Sequence, residues 1–424
     1  MKTKQVMCGM LIKSICVTAL VVLFAGPVMA ADAGNPEGTI GPDVVVFDLF
    51  DTYRWGASGA TSAYSVGTES CNRGDDPVAW ISGNNEHPVI AQNLYRLKDG
   101  RLEHLGQSWL KHGFVSINGN ACDTCVSPPN GGAQLGVGCS DPYWASLNGS
   151  QSRLGPRSEV NAFTGDYPMP HSEPDGGSFS TLSGRLLVDT DDVTPASNAG
   201  AVYFVEGQYV TSDDAGAGNS LNNASYRKVS VAANLELTPL DSTKEGVPAI
   251  FGWNAEDPTV TVRKVEVPSE GTFYIAYKAS DNGNGTWRYE YALFNLNSHR
   301  SAGSFAVPIE ANTVITNAGF HDVDSHSGEP YDLTDWTITV DNGAGWVSWS
   351  TDDFATNPNA NALRWGTMYN FWFDADTAPQ TGGAPIGLFR PGSPSSIEPM
   401  VLAPSAGGSF IFADGFESGD TIAW

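Results

Sequence analysis

The sequence has 424 residues, of which 47 are Asp or Glu and 22 are Lys or Arg, so the formal net charge is −25 at pH 7. A chain this acidic repels phosphate backbones, which excludes nucleic acid as a partner. Glycine and proline are frequent, with 47 and 26 residues, and they interrupt the helical periodicity that a mainly α protein needs.

Residues 1–30 have the three parts of a cleavable signal peptide. Lysines precede an apolar run at 16–25, and Val28 and Ala30 supply the small residues of a cleavage site. The alternative is a membrane anchor, but the apolar run is shorter than the ~20 residues that a spanning helix needs. We therefore predict cleavage after Ala30, a mature chain without a transmembrane segment, and a bacterial protein that is secreted or held at the cell surface.

The cysteines agree with an exported protein. Two of the six lie in the signal peptide, and the remaining ones are Cys71, Cys122, Cys125 and Cys139. In an oxidising compartment an even set of this kind predicts two disulfides, with all three connectivities still open. A zinc site is the alternative, but it needs two close cysteine pairs and Cys71 has no close neighbour in sequence.

Short runs of Val, Ile, Tyr, Trp and Phe alternate with turn signals, which indicates an all-β fold. Residues 31–240 are predicted to form a loop-rich, β-sandwich-like first domain that contains the disulfides. Residues 126–180 are rich in Gly, Pro and Ser and are expected to form irregular loops. Strands are expected at 200–211 and 225–237, followed by a domain boundary at 238–248.

The clearest predicted element of this domain is a hairpin at residues 87–114. Its turn is Asp99-Gly100, a dipeptide that favours two-residue hairpin loops. Closing the strands on this turn makes Arg96 and Glu103 a cross-strand ion pair. A bulge at Gly106 would shift the outer pairs by one residue. The other pairs of the predicted register are Lys98–Arg101, Leu97–Leu102, Tyr95–His104, Asn93–Gly106, Val89–Leu110 and His87–His112, with Leu97, Leu102, Val89 and Leu110 on the apolar face.

Residues 249–378 are predicted to form a second domain, a β-sandwich of the immunoglobulin-like or jelly-roll kind. Its strands are expected at 273–279, 287–296, 336–340, 346–350 and 363–373. Residues 379–409 are rich in Pro, Gly and Ser and are expected to be a linker. The linker leads to a short C-terminal tail at 410–424.

Two parts of the sequence resemble exported bacterial proteins. The tail contains DGFESGD at 414–420 and ends in Trp424, and it is similar to a short C-terminal signature that many such proteins share. The body resembles a group of secreted bacterial β-rich proteins. The stretches that carry this likeness are HPVI at 87–90, QSWLKHGF at 107–114, GFHDVD at 319–324 and NALRWGT at 361–367. The resemblance implies export or surface display and brings no known activity.

His87 and His112 are the first candidate site. The hairpin register places the two imidazoles on one face, about 5 Å apart at Cβ, where they could share a transition metal or do catalytic work. A third ligand would come from His171 or a carboxylate, whereas His104 lies too far along its strand. The alternative is a pair of hydrogen-bonded or exposed histidines at the open end of the hairpin.

A second candidate site follows the strand signal near residue 320. Asp322, Asp324 and His326 would line one face of a strand, where carboxylates suit calcium and the imidazole suits a transition metal. The alternative is an acidic loop at a sandwich edge. Calcium or a transition metal is thus the cofactor that the sequence suggests, without fixing either.

Two tryptophans form the third candidate site. Trp346 and Trp349 flank a hairpin strand, where exposed ring faces could stack on the sugar rings of an extracellular glycan. The alternative is that both belong to the sandwich core.

The familiar catalytic signatures, including a Gly-x-Ser-x-Gly elbow and a His-Glu-x-x-His motif, are absent from the sequence. We therefore predict a non-catalytic binding or structural protein that works outside the cell, with a glycan or another surface component as its partner. The alternative is a metal-dependent extracellular enzyme centred on His87 and His112.

Overall fold

Side chains that alternate between apolar and polar produce short antiparallel strands along the chain. The computed structural model describes residues 39–406 and shows an all-β protein with few and short helices. The predicted signal peptide at 1–30 and the predicted tail at 410–424 lie outside the described residues.

Up to residue 240, short strands alternate with helical turns. The strands are β1 (Val44–Asp48), β2 (Thr52–Ser58), β3 (Thr61–Val66), β4 (Thr68–Asn72), β5 (Val78–Ala79), β6 (Val89–Lys98), β7 (Arg101–Gln107), β8 (Leu110–His112), β9 (Gln134–Leu135), β10 (Ser140–Tyr143), β11 (Leu154–Gly155), β12 (Leu186–Asp189), β13 (Val202–Val210), β14 (Ala224–Val231) and β15 (Leu237–Pro239). The α-helices are α1 (Ala145–Asn148) and α2 (Ser212–Ala217). The 3-10 helices are Gly131–Ala133, Gln151–Arg153, Arg157–Glu159, Pro174–Gly177, Asp191–Val193 and Ser220–Asn222.

Beyond residue 240, one short helix precedes longer strands. The helix is α3 (Ile250–Glu256), and the strands are β16 (Thr261–Val267), β17 (Gly271–Asp281), β18 (Trp287–Asn295), β19 (Ala302–Pro308), β20 (Ile315–His321), β21 (Thr337–Asp341), β22 (Trp346–Ser350), β23 (Thr367–Ala375), β24 (Gln380–Gly383), β25 (Ile386–Leu388), β26 (Ser396–Ile397) and β27 (Met400–Ala403). Among residues 39–406, no helix is long and apolar enough to cross a membrane.

The first part of the chain is built around a sheet with the order β11-β8-β6-β13-β14-β15, in which β7 also pairs with β6. Two three-stranded sheets, β1-β4-β10 and β12-β3-β2, contribute to the same core. Val44, Tyr64, Ile90 and Val205 are fully buried there. The predicted irregular stretch at 126–180 consists largely of 3-10 helices, short strands and loops.

The later strands form two five-stranded antiparallel sheets, with the orders β16-β17-β18-β23-β20 and β21-β22-β19-β25-β26. Ile275 and Phe371 from the first sheet share one core with Phe305 and Trp349 from the second. Apolar faces of two sheets that meet in this way exclude water from both, which is the physical basis of a β-sandwich. The predicted hairpins at 273–296 and 336–350 are confirmed as β17–β18 and β21–β22.

A third apolar core connects the early and late strands. Ile250 and Trp253 of α3, which follows the predicted boundary at 238–248, are buried together with Phe204 of β13 and Phe294 of β18. The division of the chain into two domains stays a prediction.

Residues 379–409, predicted as a linker, are not a linker over their described part. They contain β24 to β27, of which β25 extends the second sandwich sheet. Ile386, Val401 and Ala403 are buried in the sandwich core. Isolated apolar residues among Pro, Gly and Ser are enough to form short strands where the sandwich core covers them.

The hairpin register is confirmed near the turn. Leu97 pairs with Leu102 and Arg96 with Glu103, and Nη2 of Arg96 lies 2.6 Å from the Glu103 carboxylate. The predicted outer register is wrong, because Leu105 is an extra residue that forms a bulge. The bulge lies one position before Gly106, where the sequence analysis considered one.

The bulge changes which side chains share a face of the hairpin. Val89 lies opposite His112, so that Leu110 is no longer its partner. Val89 and Leu110 are buried in a small cluster of their own, whereas Leu102 is buried in the core that contains α3.

The two predicted disulfides are confirmed, and the structure selects one connectivity. Cys71 is bonded to Cys122, and Cys125 is bonded to Cys139. Ser140, the neighbour of Cys139, lies opposite Cys71 in the pairing of β10 with β4, so both bridges fasten the adjoining loop to this sheet.

Candidate functional site

The structure brings His87 and His112 together, as predicted. Nε2 of His87 lies 2.9 Å from Nδ1 of His112, and the two residues are 0% and 2% exposed. The contact survives the register error because His87 precedes β6 and its ring reaches across to the end of β8. The hydroxyl of Tyr167 donates a hydrogen bond to the carbonyl oxygen of His87 and packs beside both rings.

Hydrogen bonding fixes the protonation of this pair. Nδ1 of His87 lies 3.0 Å from the carbonyl oxygen of Ile81, which can only accept, so Nδ1 carries the proton. Nε2 of His87 then accepts from Nδ1–H of His112. Burial lowers the pKa of His87, and burial together with the neighbouring His171 lowers the pKa of His112 to about 2. Both imidazoles are therefore neutral, and both nitrogens of His87 are engaged.

His171, which the sequence analysis offered beside a carboxylate as a third ligand, does lie next to the pair. Its ring stacks on His112 with 4.2 Å between centroids, and stacked rings do not converge on one ion. Gly155 makes this possible, because a Cβ there would lie 2.8 Å from Nε2 of His112 and 3.0 Å from Cβ of His171. Within residues 39–406, no group of three or more His, Cys, Asp or Glu is arranged to hold a metal ion.

The second predicted metal site does not assemble. Strand β20 ends at His321, so Asp322, Asp324 and His326 do not alternate along a strand. Asp322 accepts a hydrogen bond of 2.5 Å from Asn361, Asp324 is exposed, and His326 is buried with Nε2 2.9 Å from the carbonyl of Arg185. The three side chains are held by different partners, so the prediction of a shared site is wrong.

The sugar-stacking role predicted for Trp346 and Trp349 is also wrong. The two residues are 8% and 0% exposed. Trp349 stacks on Phe305 in the sandwich core and donates a hydrogen bond of 3.0 Å to the carbonyl of Gly319. The alternative that assigned both to the core is the correct one.

A different group of apolar side chains is exposed or partly exposed. We call it the aromatic patch, and it consists of the aromatic residues Phe50, Tyr53, Trp55 and Trp144 together with Leu147. Trp144 is 56% exposed and Tyr53 is 48% exposed. Side chains of this size are usually buried, so an exposed cluster of them indicates a binding surface.

One half of the aromatic patch comes from β2, the edge strand of its sheet. A bulge at Trp55 interrupts the pairing with β3, and the Trp55 ring lies 4.6 Å from the Tyr53 ring. Nε1 of Trp55 donates a hydrogen bond of 2.9 Å to Ser65 Oγ, which holds the indole in place.

The other half comes from the turn at α1. Phe50 meets the Trp144 ring edge-on, with 5.0 Å between centroids. The amide of Ala145 donates a hydrogen bond of 3.0 Å to the Asp51 carboxylate, which ties the turn to the strand. Gly149, which follows α1, allows this helix to approach β2 closely, because a Cβ at this position would lie 2.5 Å from Nε1 of Trp55.

Arg185 adds a fixed polar group to the aromatic patch. Its guanidinium carbon lies 3.6 Å from the centre of the Trp55 ring. Nε donates to the carbonyl of Gly149 (3.1 Å) and Nη1 to that of Thr181 (2.9 Å), and burial lowers the pKa of this guanidinium. The patch thus joins apolar ring faces to a positioned hydrogen-bond donor.

Sequence reasoning missed this patch, although one signal was present. Tyr53 and Trp55 are separated by a single residue, a spacing that brings two side chains to one face of a strand. Nothing local connects them to the turn at α1, which only the tertiary fold ties to this strand through Asp51 and Gly149.

Comparison with models of protein families and with curated protein sequences found no match for this chain.

Proposed function

We propose that this protein is an exported, non-catalytic binding protein whose ligand is a carbohydrate. The observation that carries the proposal is the aromatic patch, in which Trp144 and Tyr53 are each more than two-fifths exposed and their elements are joined through Asp51 and Gly149. Aromatic faces bury the C–H face of a sugar ring while the hydroxyls stay available for hydrogen bonds.

The polar neighbours of the patch support this ligand class. Arg185 lies over Trp55 and is held by two backbone carbonyls, so it can donate to a hydroxyl without reorganising. Asp51 lies between the two halves of the patch, and burial raises the pKa of its carboxyl. A rigid surface with few polar groups loses little conformational entropy when it binds.

Export is supported by the signal-peptide pattern at 1–30 and by the two disulfides, which persist in oxidising compartments. A net charge of −25 keeps such a protein soluble among other macromolecules outside the cell.

The alternative, a metal-dependent enzyme at His87 and His112, has less support. His87 uses both ring nitrogens within the protein, and His171 stacks on the pair rather than completing a ligand set. Metal analysis of the purified protein tests it: one equivalent of tightly bound transition metal that is lost in His112→Ala would replace our proposal.

A glycan array followed by calorimetric titration tests the carbohydrate proposal. We expect Trp144→Ala to weaken binding by about tenfold or more, equivalent to about 1.4 kcal/mol. The matched control is Val340→Ala, an apolar residue that is 43% exposed on β21, in a different sheet. An array without hits, or equal losses in the two variants, would refute the proposal.

A further inference from the structure

A second surface feature is independent of the aromatic patch. A cleft of about 410 Å³ lies between the turn of the β6–β7 hairpin and the strands β17 and β18. Its volume is within the range of small-molecule sites. The residues that line it are Arg96, Lys98, Asp99, Gly100, Arg101, Glu103, Lys278, Ser280, Asn282, Arg288 and Glu290.

Cations outnumber acids among the side chains that line this cleft. Five of the lining side chains are cationic and three are anionic, which leaves an excess of two positive charges. The chain as a whole carries −25. Because further acids pair with three of these cations from outside the lining, an anion would be attracted by individual cations, above all Lys98, rather than by a net positive charge.

Acids outside the cleft fix three of its cations. Lys278 lies 3.1 Å from Asp257, and Arg288 lies 3.4 Å from Asp374. Arg96 is held in the same manner, 2.7 Å from Asp192. None of these three acids lines the cleft, whereas Glu103 and Glu290, which do line it, also pair with Arg96 (2.6 Å) and Arg288 (3.3 Å). Lys278 is therefore the cation that is held from outside alone.

Arg101 is fixed from two sides. Its guanidinium carbon lies 3.5 Å from the centre of the Trp372 ring, and its Nε and Nη2 each donate a hydrogen bond of 2.8 Å to Glu290. A guanidinium held in this way keeps its other donors in a constant position.

Lys98 has only neutral hydrogen-bond partners, since its Nζ donates to the carbonyl of Ser197 (3.0 Å) and to Asn198 (3.3 Å). Gly100, in the turn of the same hairpin, leaves room for Lys278 of β17, because a Cβ there would lie 2.9 Å from Nζ of Lys278. The two ammonium groups therefore belong to the hairpin side and the sheet side of the same cleft.

We propose that this cleft binds a ligand through its oxyanion groups, sulfate or carboxylate, between Lys98 and Lys278. Lys98 supplies charge that no carboxylate within residues 39–406 neutralises, and Lys278 and Arg288 are preorganised by their outer acids. The site does not depend on carbohydrate binding at the aromatic patch.

Calorimetric titration with sulfate and with citrate, at an ionic strength held constant with sodium chloride, tests this proposal. We expect saturable binding of one equivalent of at least one probe. Lys98→Glu should weaken it by about tenfold or more, because it places a like charge in the path of the ligand. The milder Lys98→Gln should weaken it less, and both variants should keep the thermal midpoint of the wild type.

The matched control is Lys264→Glu, which makes the same charge change on β16 outside the cleft. Its binding should equal that of the wild type. Equal weakening of binding in Lys98→Glu and Lys264→Glu would show that only the overall charge of the protein matters, and would overturn the proposal. The absence of a saturable heat signal with both probes would overturn it too. Binding that is unchanged in Lys98→Glu would overturn it as well.

Discussion

His87 and His112 share a hydrogen bond of 2.9 Å between their ring nitrogens in the protein interior. The backbone carbonyl of Ile81 orients the first ring, and burial lowers the pKa of both imidazoles, so both rings are neutral. We therefore expect this part of the fold to be least stable at acidic pH.

Protonation of His112 should destabilise the protein in acid. Its pKa is lowered from 6.5 to about 2, so its contribution is present above pH 6.5 and is lost as the pH falls towards 2. We expect His112→Gln to reduce the decline in unfolding free energy below neutral pH by up to about 1.4 kcal/mol per pH unit. Urea unfolding at several pH values measures this slope.

The control for this experiment is His321→Gln, which makes the same change at a partly buried ring on β20, in a different sheet. In this control variant, unfolding free energy should change with pH as it does in the wild type. Parallel slopes in the wild type and His112→Gln would show that the buried pair does not set the acid sensitivity.

Asp214 should have the opposite effect on pH dependence. It is fully buried, and burial raises its pKa from 3.8 to about 8. A carboxyl with a raised folded pKa stabilises the fold below its unfolded pKa, and that contribution is lost as the pH rises through about 8. Asp214→Asn should therefore flatten the decline in stability between about pH 4 and about pH 8.

The hydrogen bonds around Asp214 can accommodate this substitution. Its carboxylate accepts from the amide of Val44 (2.9 Å) and from Asn223 Nδ2 (2.8 Å). Oδ1 of Asn223 is buried without a partner among the described residues, so a flipped Asn223 could accept from the new amide. Chemical denaturation at pH values across this window is the measurement, and an unchanged slope would contradict the assignment.

The two disulfides should differ in their contribution to stability. Cys71 and Cys122 are 51 residues apart in sequence, whereas Cys125 and Cys139 are 14 apart. Chain-entropy estimates give about 4 kcal/mol for the larger loop and about 3 kcal/mol for the smaller one. Replacing each pair by alanine and measuring denaturant unfolding should therefore show the larger loss for the first pair.

Peptide mapping without reduction checks the connectivity directly. We expect fragments that join Cys71 to Cys122 and Cys125 to Cys139. Four free thiols in the native protein, or any other pairing, would disprove it.

Truncation of two tryptophans should change the unfolding free energy by very different amounts. Trp349 is fully buried, so Trp349→Ala should cost about 3–5 kcal/mol of unfolding free energy. Trp144 is 56% exposed, so Trp144→Ala should change stability by less than about 0.5 kcal/mol. Thermal and urea unfolding of the two variants give the comparison, and a comparable loss in Trp144→Ala would mean that this ring is part of the fold and not a free surface.

Local sequence rules predicted much of this molecule correctly. Period-two alternation indicated the all-β class, and the Asp99-Gly100 turn set the pairing of Arg96 with Glu103. These features depend on neighbours in the chain, because side-chain direction and turn geometry repeat over two to four residues. The even set of cysteines likewise predicted disulfides, but not their partners.

Only the tertiary structure decided which aromatic residues are exposed and which charges meet. Trp349 is adjacent to polar residues in sequence yet lies in the core, while Trp144 is exposed and packs against Phe50, which is far from it along the chain. Cation–acid contacts such as Arg101 with Glu290 form between strands that no local pattern relates. The reason is physical: burial and electrostatic contacts depend on which sheets pack against each other, and a sequence pattern fixes the faces of a strand but not what covers them.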